Sequence, residues 1–582
     1  MPLSSLPKSL MLLIALVQGL ALLLLHQAIA LEFWPQGRPH WLFGFYALAF
    51  VCPTMLLLSL EQGRVMQLLR WILPYGLLVT LLGFYLGWQA NPLGETRLEG
   101  LLWAMVLTLC VASFKALIYI QQRVSGEAFT YSQLFRYSWR NFLTLMLSLF
   151  FALCVWGLLM LWAGLFRAIK INFFHDIFTE RWFYYPALAL AQGFGVIIFR
   201  QQQGVIDTIT RIQQALMKFL LILLVFVSLL FLVTLPFTGL QPLWETGWGS
   251  GLILWMQALM LFFVNAVYQD EPDQRPYPLW LHRFISLGVA FLPVFSAIAF
   301  YGLSLRVGQY GWTVGRCWGF VIWGLLALFS LGYLWGLLRL RDRWLERLSW
   351  VNVRMGLVVM AIALLSASPL LDFRKISLAS QLQRVEQGKI AIDELDFRYF
   401  YRQLARPGYL ALERIKAEYA ESRPELVLKI EASDHIYRRY ENSAIERETF
   451  SRSLRRFDDQ PLPQGLEEAL HLWAKDNQWR FMDNSGLYLQ PVDLNADGTD
   501  EYLLVTVGKH HTYLELFVSG EKGWQQASLH QVSYRDDPDT PLPKLLEAGA
   551  VEVVPPGWQR LKIGERIYQL QEESLRQIDG TR

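Results

Sequence analysis

Along the first 371 residues the chain consists of apolar runs separated by short charged breaks, and beyond that point such runs stop. A helix needs about 20 consecutive apolar residues to cross the hydrocarbon core of a bilayer. Runs of that kind lie near residues 10–30, 41–60, 71–89, 99–120, 141–166, 182–199, 217–237, 250–268, 282–303, 314–337 and 350–371. The pattern predicts an α-helical polytopic membrane bundle of eleven transmembrane helices over residues 1–371, followed by a C-terminal α+β soluble domain.

Within the soluble part the period of the pattern changes once. Residues 372–478 carry charged segments with apolar faces at helical spacing, punctuated by Gly388, Pro407, Gly408, Pro461 and Pro463, and predict a helical neck. Residues 479–582 hold short β-rich runs separated by turn residues and predict a small antiparallel sheet.

Charge divides at the same place. Residues 1–371 hold 24 Lys and Arg against 14 Asp and Glu, and the remainder 28 against 35, so a net charge of +3 hides a basic and an acidic half. Cytoplasmic anchors account for the basic half and a solvated surface for the acidic one, so the balance does not call for nucleic acid. The four cysteines, Cys52, Cys110, Cys154 and Cys317, all fall in spans and read as small packing residues.

Lys and Arg near span ends accumulate on the cytoplasmic side. An N-terminus placed inside puts fifteen of them in the cytoplasmic segments and seven in the opposite short loops, which points the C-terminal domain away from the cytoplasm. Lys8, an apolar run and Ala28-Ile29-Ala30 together resemble a secretory signal. That run exceeds the 7–15 residues or so of a signal core, which favours an uncleaved first helix; cleavage would leave the remaining orientation unchanged.

Ionisable groups deep in spans mark ion or substrate paths, and here they are few. Lys115 is expected to snorkel toward the interface. His26, Gln18, Gln192, Gln257 and Asn265 are expected to hydrogen-bond between helices, and Pro53, Pro74 and Pro293 to bend theirs. No spaced acidic or histidine relay is present. His175, Asp176 and Glu180 share the loop at 171–181 without the spacing of a metal motif, so the loop reads as an amphipathic interfacial turn.

The sharpest chemical motif lies between two predicted strands. Asp493, Asn495, Asp497, Thr499 and Glu501 place oxygen ligands at alternate positions, with Gly498 sixth, as at the start of a calcium loop. Leu504 stands where an EF-hand needs its twelfth-position glutamate. The stretch more nearly resembles the D-x-[DN]-x-D-G-x-x-[DE] loop of the FG-GAP type, which implies Asp493, Asn495, Asp497 and Glu501 as side-chain ligands and Thr499 as a carbonyl ligand. An Asx-rich turn held by its own hydrogen bonds is the competing reading. The neighbouring His510 and His511 point to opposite faces of a strand and do not suggest zinc.

Two stretches carry a further resemblance. LRVGQYGWTVGR at 305–316, with Arg306, Tyr310, Gly311, Thr313 and Arg316, resembles the R-x-x-x-Y-G-[LW]-T-x-x-R signature of a bacterial multi-span family known as domain of unknown function 4153. Trp312 stands where leucine is the commoner choice. SPLLDFRKISLASQLQRVEQGKIAIDELDFRYF at 368–400 looks like the juncture of that family's last span with its tail. The resemblance implies a location in the bacterial inner membrane and no established activity. Arg306 and Arg316 at adjacent helix ends would pair lipid phosphates or acidic tail residues, or simply anchor the interface.

No nucleophile elbow, zinc-protease pattern or phosphate-cradling loop occurs, so the sequence leans away from an enzyme. Its leading reading is an inner-membrane protein for envelope sensing, assembly or scaffolding through a periplasmic domain, with the lipid bilayer and an envelope protein as partners. A transporter or channel for a lipid or small solute is the alternative, and a membrane-embedded enzyme using the 171–181 loop comes third. A transporter predicts a polar cavity reaching the bilayer midplane and lined by residues such as Gln192, Gln257 or Asn265; a scaffold predicts those amides satisfied in a packed interior.

Overall fold

The computed structural model describes residues 6–94, 96–97, 99–126, 129–268, 276–435, 447–456, 460–477, 484–508, 512–520, 523–529, 553, 561–563 and 566–568. Eleven spans long and apolar enough to cross a membrane occur among them. In chain order the helices are α1 (Lys8–Ala30), α2 (Pro39–Ser59), α3 (Val65–Trp88), α4 (Glu99–Ser125), α5 (Tyr131–Ala168), the short α6 (Phe173–Thr179), α7 (Arg181–Gln201) and α8 (Gln203–Thr238). There follow the short α9 (Gln241–Glu245), α10 (Gly249–Val267), α11 (Leu279–Ala290), α12 (Leu292–Tyr310), α13 (Val314–Leu340), α14 (Leu345–Ser366) and α15 (Phe373–Glu386).

Pro53 and Pro74 lie inside unbroken helices, whereas Pro293 falls at the start of α12, so the ninth span is two helices meeting at Phe291. Proline lacks an N–H and clashes with the preceding turn, which makes a helix start its natural position. The last span runs over Leu345–Ser366 rather than to 371. Pro369 and the Ser368 hydroxyl, which accepts from the Leu370 N–H, close the chain into a 3-10 turn there.

The membrane bundle has two cores. One gathers Met11, Ala15, Leu57, Leu68, Ile72, Leu117 and Val196 from α1–α4 and α7, continued by Val79, Leu82, Leu101 and Leu109. The other joins Leu221, Val264, Ile285, Phe295, Tyr333, Trp344 and Met355 from α8 and α10–α14. Helix α14 serves both, with Val351 and Met355 in the second core and Met360 and Leu364 against the first. Large apolar side chains such as Leu153 and Leu338 face outward from the spans, as a hydrocarbon solvent permits. Trp103, Trp248 and Trp280 are exposed near helix ends, where amphipathic rings suit a membrane interface.

The chain divides into two compact units, residues 1–391 with 402–409, and residues 392–401 with 410–582. The boundary therefore lies beyond 371: α15 belongs with the bundle, and so does the short return at 402–409, where the Arg406 N–H donates to the Gln89 carbonyl and its guanidinium lies over Trp88. The second unit includes helices over 397–403 (α16, in part), 405–419 (α17, in part), Pro424–His435 (α18), Arg447–Ser453 (α19) and Leu466–Asp476 (α20).

Its sheet runs β1 (Leu454–Arg456), β2 (Asn484–Val492), β3 (Glu501–Gly508), β4 (Thr512–Gly520) and β5 (Gly523–Leu529), in that spatial order. The pairs β2–β3, β3–β4 and β4–β5 are antiparallel, as the turn-separated runs predicted. Strand β1 adds a parallel pair at one edge, from within the stretch expected to be a helical neck. A separate hairpin joins β6 (Leu561–Ile563) and β7 (Arg566–Tyr568). Leu428, Phe450, Leu470 and Trp473 share one core with Leu487, Leu489, Leu504 and Phe517, so these helices fold with the sheet instead of forming a separate neck.

Candidate functional site

Most buried amides of the bundle donate hydrogen bonds between helices, while the side-chain carbonyl oxygens of Gln192 and Gln257 are buried without a partner among the described residues. The Gln18 Nε2 donates to the Ala49 carbonyl at 3.1 Å and to the Thr54 hydroxyl at 3.3 Å. Gln192 donates to the Ser148 hydroxyl at 2.8 Å. Gln257, wholly buried, donates to the hydroxyls of Ser296 and Ser330 at 2.5 and 2.6 Å. His26 makes a ring contact with Tyr185 at 5.5 Å. Sequence reasoning missed a second set: the Gln121 and Asn141 amides exchange hydrogen bonds, and Gln121 and the buried Arg200 donate to the Leu58 and Leu57 carbonyls. Those carbonyls belong to the last turn of α2, where the helix leaves them without internal partners.

Asn265 is different, because it lines a cavity of about 490 Å³. The walls come from one face of each surrounding helix. Phe114, Lys115, Ile118 and Tyr119 of α4 recur at helical spacing, as do Tyr131, Leu134, Phe135, Ser138, Trp139 and Phe142 of α5. Phe262, Asn265 and Ala266 of α10 and Asn352, Gly356 and Val359 of α14 complete most of the ring. The cavity thus sits where the two cores meet, toward the C-terminal ends of α4 and α10 and the N-terminal ends of α5 and α14.

The seam is held by close approach. The Tyr119 hydroxyl of α4 donates to the Val353 carbonyl of α14 at 2.5 Å, and a Cβ on Gly356 would lie 2.3 Å from that hydroxyl oxygen. Only glycine leaves room for this crossing. The polar end of the cavity is a fixed network: Asn265 Oδ1 accepts from Asn352 Nδ2 at 2.6 Å and from the Tyr333 hydroxyl at 2.7 Å, and the Tyr131 hydroxyl donates to the Asn265 carbonyl at 2.8 Å. Lys115 is half-buried, ten residues before the end of α4, and belongs to the cavity lining.

The signature loop at 305–316 is a structural clamp. Gly311 ends α12 with φ +72°, and the Thr313 hydroxyl caps α13 by accepting from the Arg316 N–H at 3.3 Å. Arg316 stays within the loop, donating to the Gly311 carbonyl at 2.7 Å and lying over the Tyr310 ring. Arg306 is half-buried near the end of α12. Helix α15 meets the loop: the Ser380 hydroxyl accepts from the Trp312 N–H at 2.9 Å, and the Ser377 hydroxyl and Gln381 Nε2 donate to the Trp312 carbonyl at 3.2 and 2.9 Å. The two stretches that carry the family resemblance therefore touch each other.

At the start of that helix, the capping Asp372 and Arg374 are both nearly buried and paired at 2.7 Å, with the Tyr85 hydroxyl donating to Asp372 at 2.6 Å. Burial alone would raise the Asp372 carboxyl, but the charge and hydrogen bonds of Arg374 and the Tyr85 hydroxyl outweigh it and hold it below its ordinary value.

In the 493–501 loop the oxygens turn inward on one another. Asp493 accepts from the Asp497 and Gly498 N–H groups at 3.1 and 3.0 Å. Asp497 accepts from the Thr499 N–H and hydroxyl, which hold its carboxyl below the ordinary range. Glu501, only 5% exposed, accepts from the Leu494 N–H and the Asn495 amide, both at 2.8 Å. Gly498 has φ +84°. Among the described residues no group of three or more His, Cys, Asp or Glu side chains is placed to hold a metal ion. The loop at 171–181 forms α6, where Phe174 and Phe178 pack on Trp162 and His175 lies 3.6 Å from Asp176. His510 and His511 lie outside the described residues.

Comparison with known proteins gives one match. The chain belongs to the family described as domain of unknown function (DUF4153), whose pattern matches residues 12–415 and so spans the whole bundle, the clamp and the cavity. No curated protein and no solved structure matches it.

Proposed function

Proceeding from membership of a family whose description assigns no activity, we propose that this is a bacterial inner-membrane protein of the carrier type, which takes a lipid or small apolar solute into the cavity at the seam of its bundle. One observation carries the reading. A half-open cavity of about 490 Å³ walled by aromatic rings falls in the usual range of small-molecule sites, roughly 300–1,000 Å³, in a bundle whose other buried amides are packed between helices. Scaffolding alone needs no such cavity.

The excess of Lys and Arg, fifteen to seven, supports a cytoplasmic N-terminus and a periplasmic soluble unit. The cavity then opens in the cytoplasmic half of the bilayer. Reporter fusions after Arg582 test the orientation: activity of a periplasm-dependent reporter is expected, and activity of a cytosol-dependent one reverses it.

The ligand reading is tested in membranes with a photoactivatable long-chain alcohol. Crosslinks are expected on residues 114–119, 131–142 and 262–266, and Ser138→Phe, which fills the cavity, is expected to remove them. Crosslinks confined to outward residues such as Leu153 and Leu338 would sink the idea.

A second reading concerns the soluble unit. The inward-turned Glu501 and the αL glycine at position 498 support calcium at the 493–501 loop, with Asp493, Asn495, Asp497 and Glu501 as side-chain ligands and Thr499 as a carbonyl ligand.

A further inference from the structure

Resting on the carrier reading, we infer that the ligand of the seam cavity is a single-chain amphiphile with one anionic head, and that Lys115 is its counter-ion. A lysine within a span is costly unless something answers its charge. Among the described residues no Asp or Glu lines the cavity, and none is placed to hydrogen-bond or ion-pair with Lys115. The apolar run of α4 ends near residue 120, about 7.5 Å of helix beyond Lys115 at 1.5 Å per residue, so its backbone lies inside the bilayer.

The other polar groups of the lining are mixed: Ser138 and Gln213 can donate or accept, whereas Asn265 offers a donor. Asn265 Oδ1 already accepts from Tyr333 and Asn352, and its backbone carbonyl accepts from Tyr131. What Asn265 has left to offer is its amide N–H, a donor like the ammonium. The sign of the site therefore comes from Lys115, a donor that carries charge, and it selects an acceptor-rich head, an anion above all.

The remaining walls select the tail. Trp139 is the centre of an aromatic surface, its ring centroid 5.9, 6.0 and 6.5 Å from those of Phe135, Phe142 and Phe262. A volume of about 490 Å³ lies in the lower half of the range for sites that hold one small ligand, roughly 300–1,000 Å³, which suits one acyl chain with its head.

The experiment compares three ligands of one chain length on the full-length protein in nanodiscs: hexadecanoate, hexadecyl phosphate and hexadecanol. At least one of the two anions is expected to bind about tenfold or more tighter than the alcohol, and the pair distinguishes a carboxylate from a phosphate head. Lys115→Gln is expected to erase that preference while leaving alcohol binding and the melting curve intact, and Lys115→Arg to keep it. Equal binding of anions and alcohol by the wild type, or a preference that survives Lys115→Gln, overturns the inference and leaves the cavity reading standing. Binding of none of the three overturns both.

Discussion

The Nε2 of Gln381 lies 2.9 Å from the carbonyl oxygen of Trp312 and 3.1 Å from that of Tyr310. One side chain of α15 thus holds the C-terminal end of α12 and the loop leading to α13. Each hydrogen bond of this kind contributes about 0.5–1.5 kcal/mol. Gln381→Ala is expected to destabilise the bundle by about 1–3 kcal/mol, read as a lowered melting temperature in detergent. No change in the melt would show that the clamp is incidental.

Gly311 sits at the centre of the same clamp. Its φ of +72° is unfavourable for a side chain, and a Cβ would lie 2.8 Å from Arg384 Cδ. Gly311→Ala is expected to cost roughly 1–3 kcal/mol, again by thermal melt, and more than Gly308→Ala, where the added carbon meets nothing within 4 Å.

Helix–helix spacing at the seam depends on Gly356. Gly356→Ala places a carbon against the Tyr119 hydroxyl and is expected to cost about 1–3 kcal/mol by overpacking. Tyr119→Phe in the same chain removes the closest atom and is expected to recover part of the loss. Failure of that pairwise rescue in a double-mutant cycle would mean the two residues do not couple.

Acid should act through Asp372. Its carboxyl is held below its unfolded value, so its contribution to stability is full above about pH 4 and is lost as pH falls through the folded value. Asp372→Asn keeps a helix cap but leaves Arg374 buried without its counter-charge, an expected cost of about 3–5 kcal/mol at pH 7. The variant's melting temperature should fall less steeply than the wild type's between pH 5 and pH 3. Parallel curves would remove Asp372 from the account.

For the 493–501 loop, millimolar calcium is expected to raise the melting transition of the full-length protein, and Asp497→Ala to abolish the rise. Identical curves with calcium and with chelator would leave the loop as an Asx turn held by its own hydrogen bonds.

The number and approximate place of the spans were legible because each is apolar over membrane length. Their facing sides were not, because a helix that is apolar nearly all round carries no period to read. The seam face of α5 became visible only when Tyr131, Phe135, Trp139 and Phe142 were found on one wall. Lys115 read as a snorkelling residue, since nothing in sequence distinguishes a stem running to the interface from one lining a void. Asn265 was singled out as an amide within a span, but its partners Tyr333 and Asn352 lie 68 and 87 positions away. The helices around Leu428 and Leu470 were taken for a neck because their charged faces are plain in sequence, while the strands that cover their apolar faces come later in the chain.

Because α14 contributes side chains to both cores, the two halves of the bundle cannot part at the seam without stripping that helix from one of them. The Tyr119–Gly356 crossing ties α4 to α14 at the same place, so the shared helix rivets the halves together.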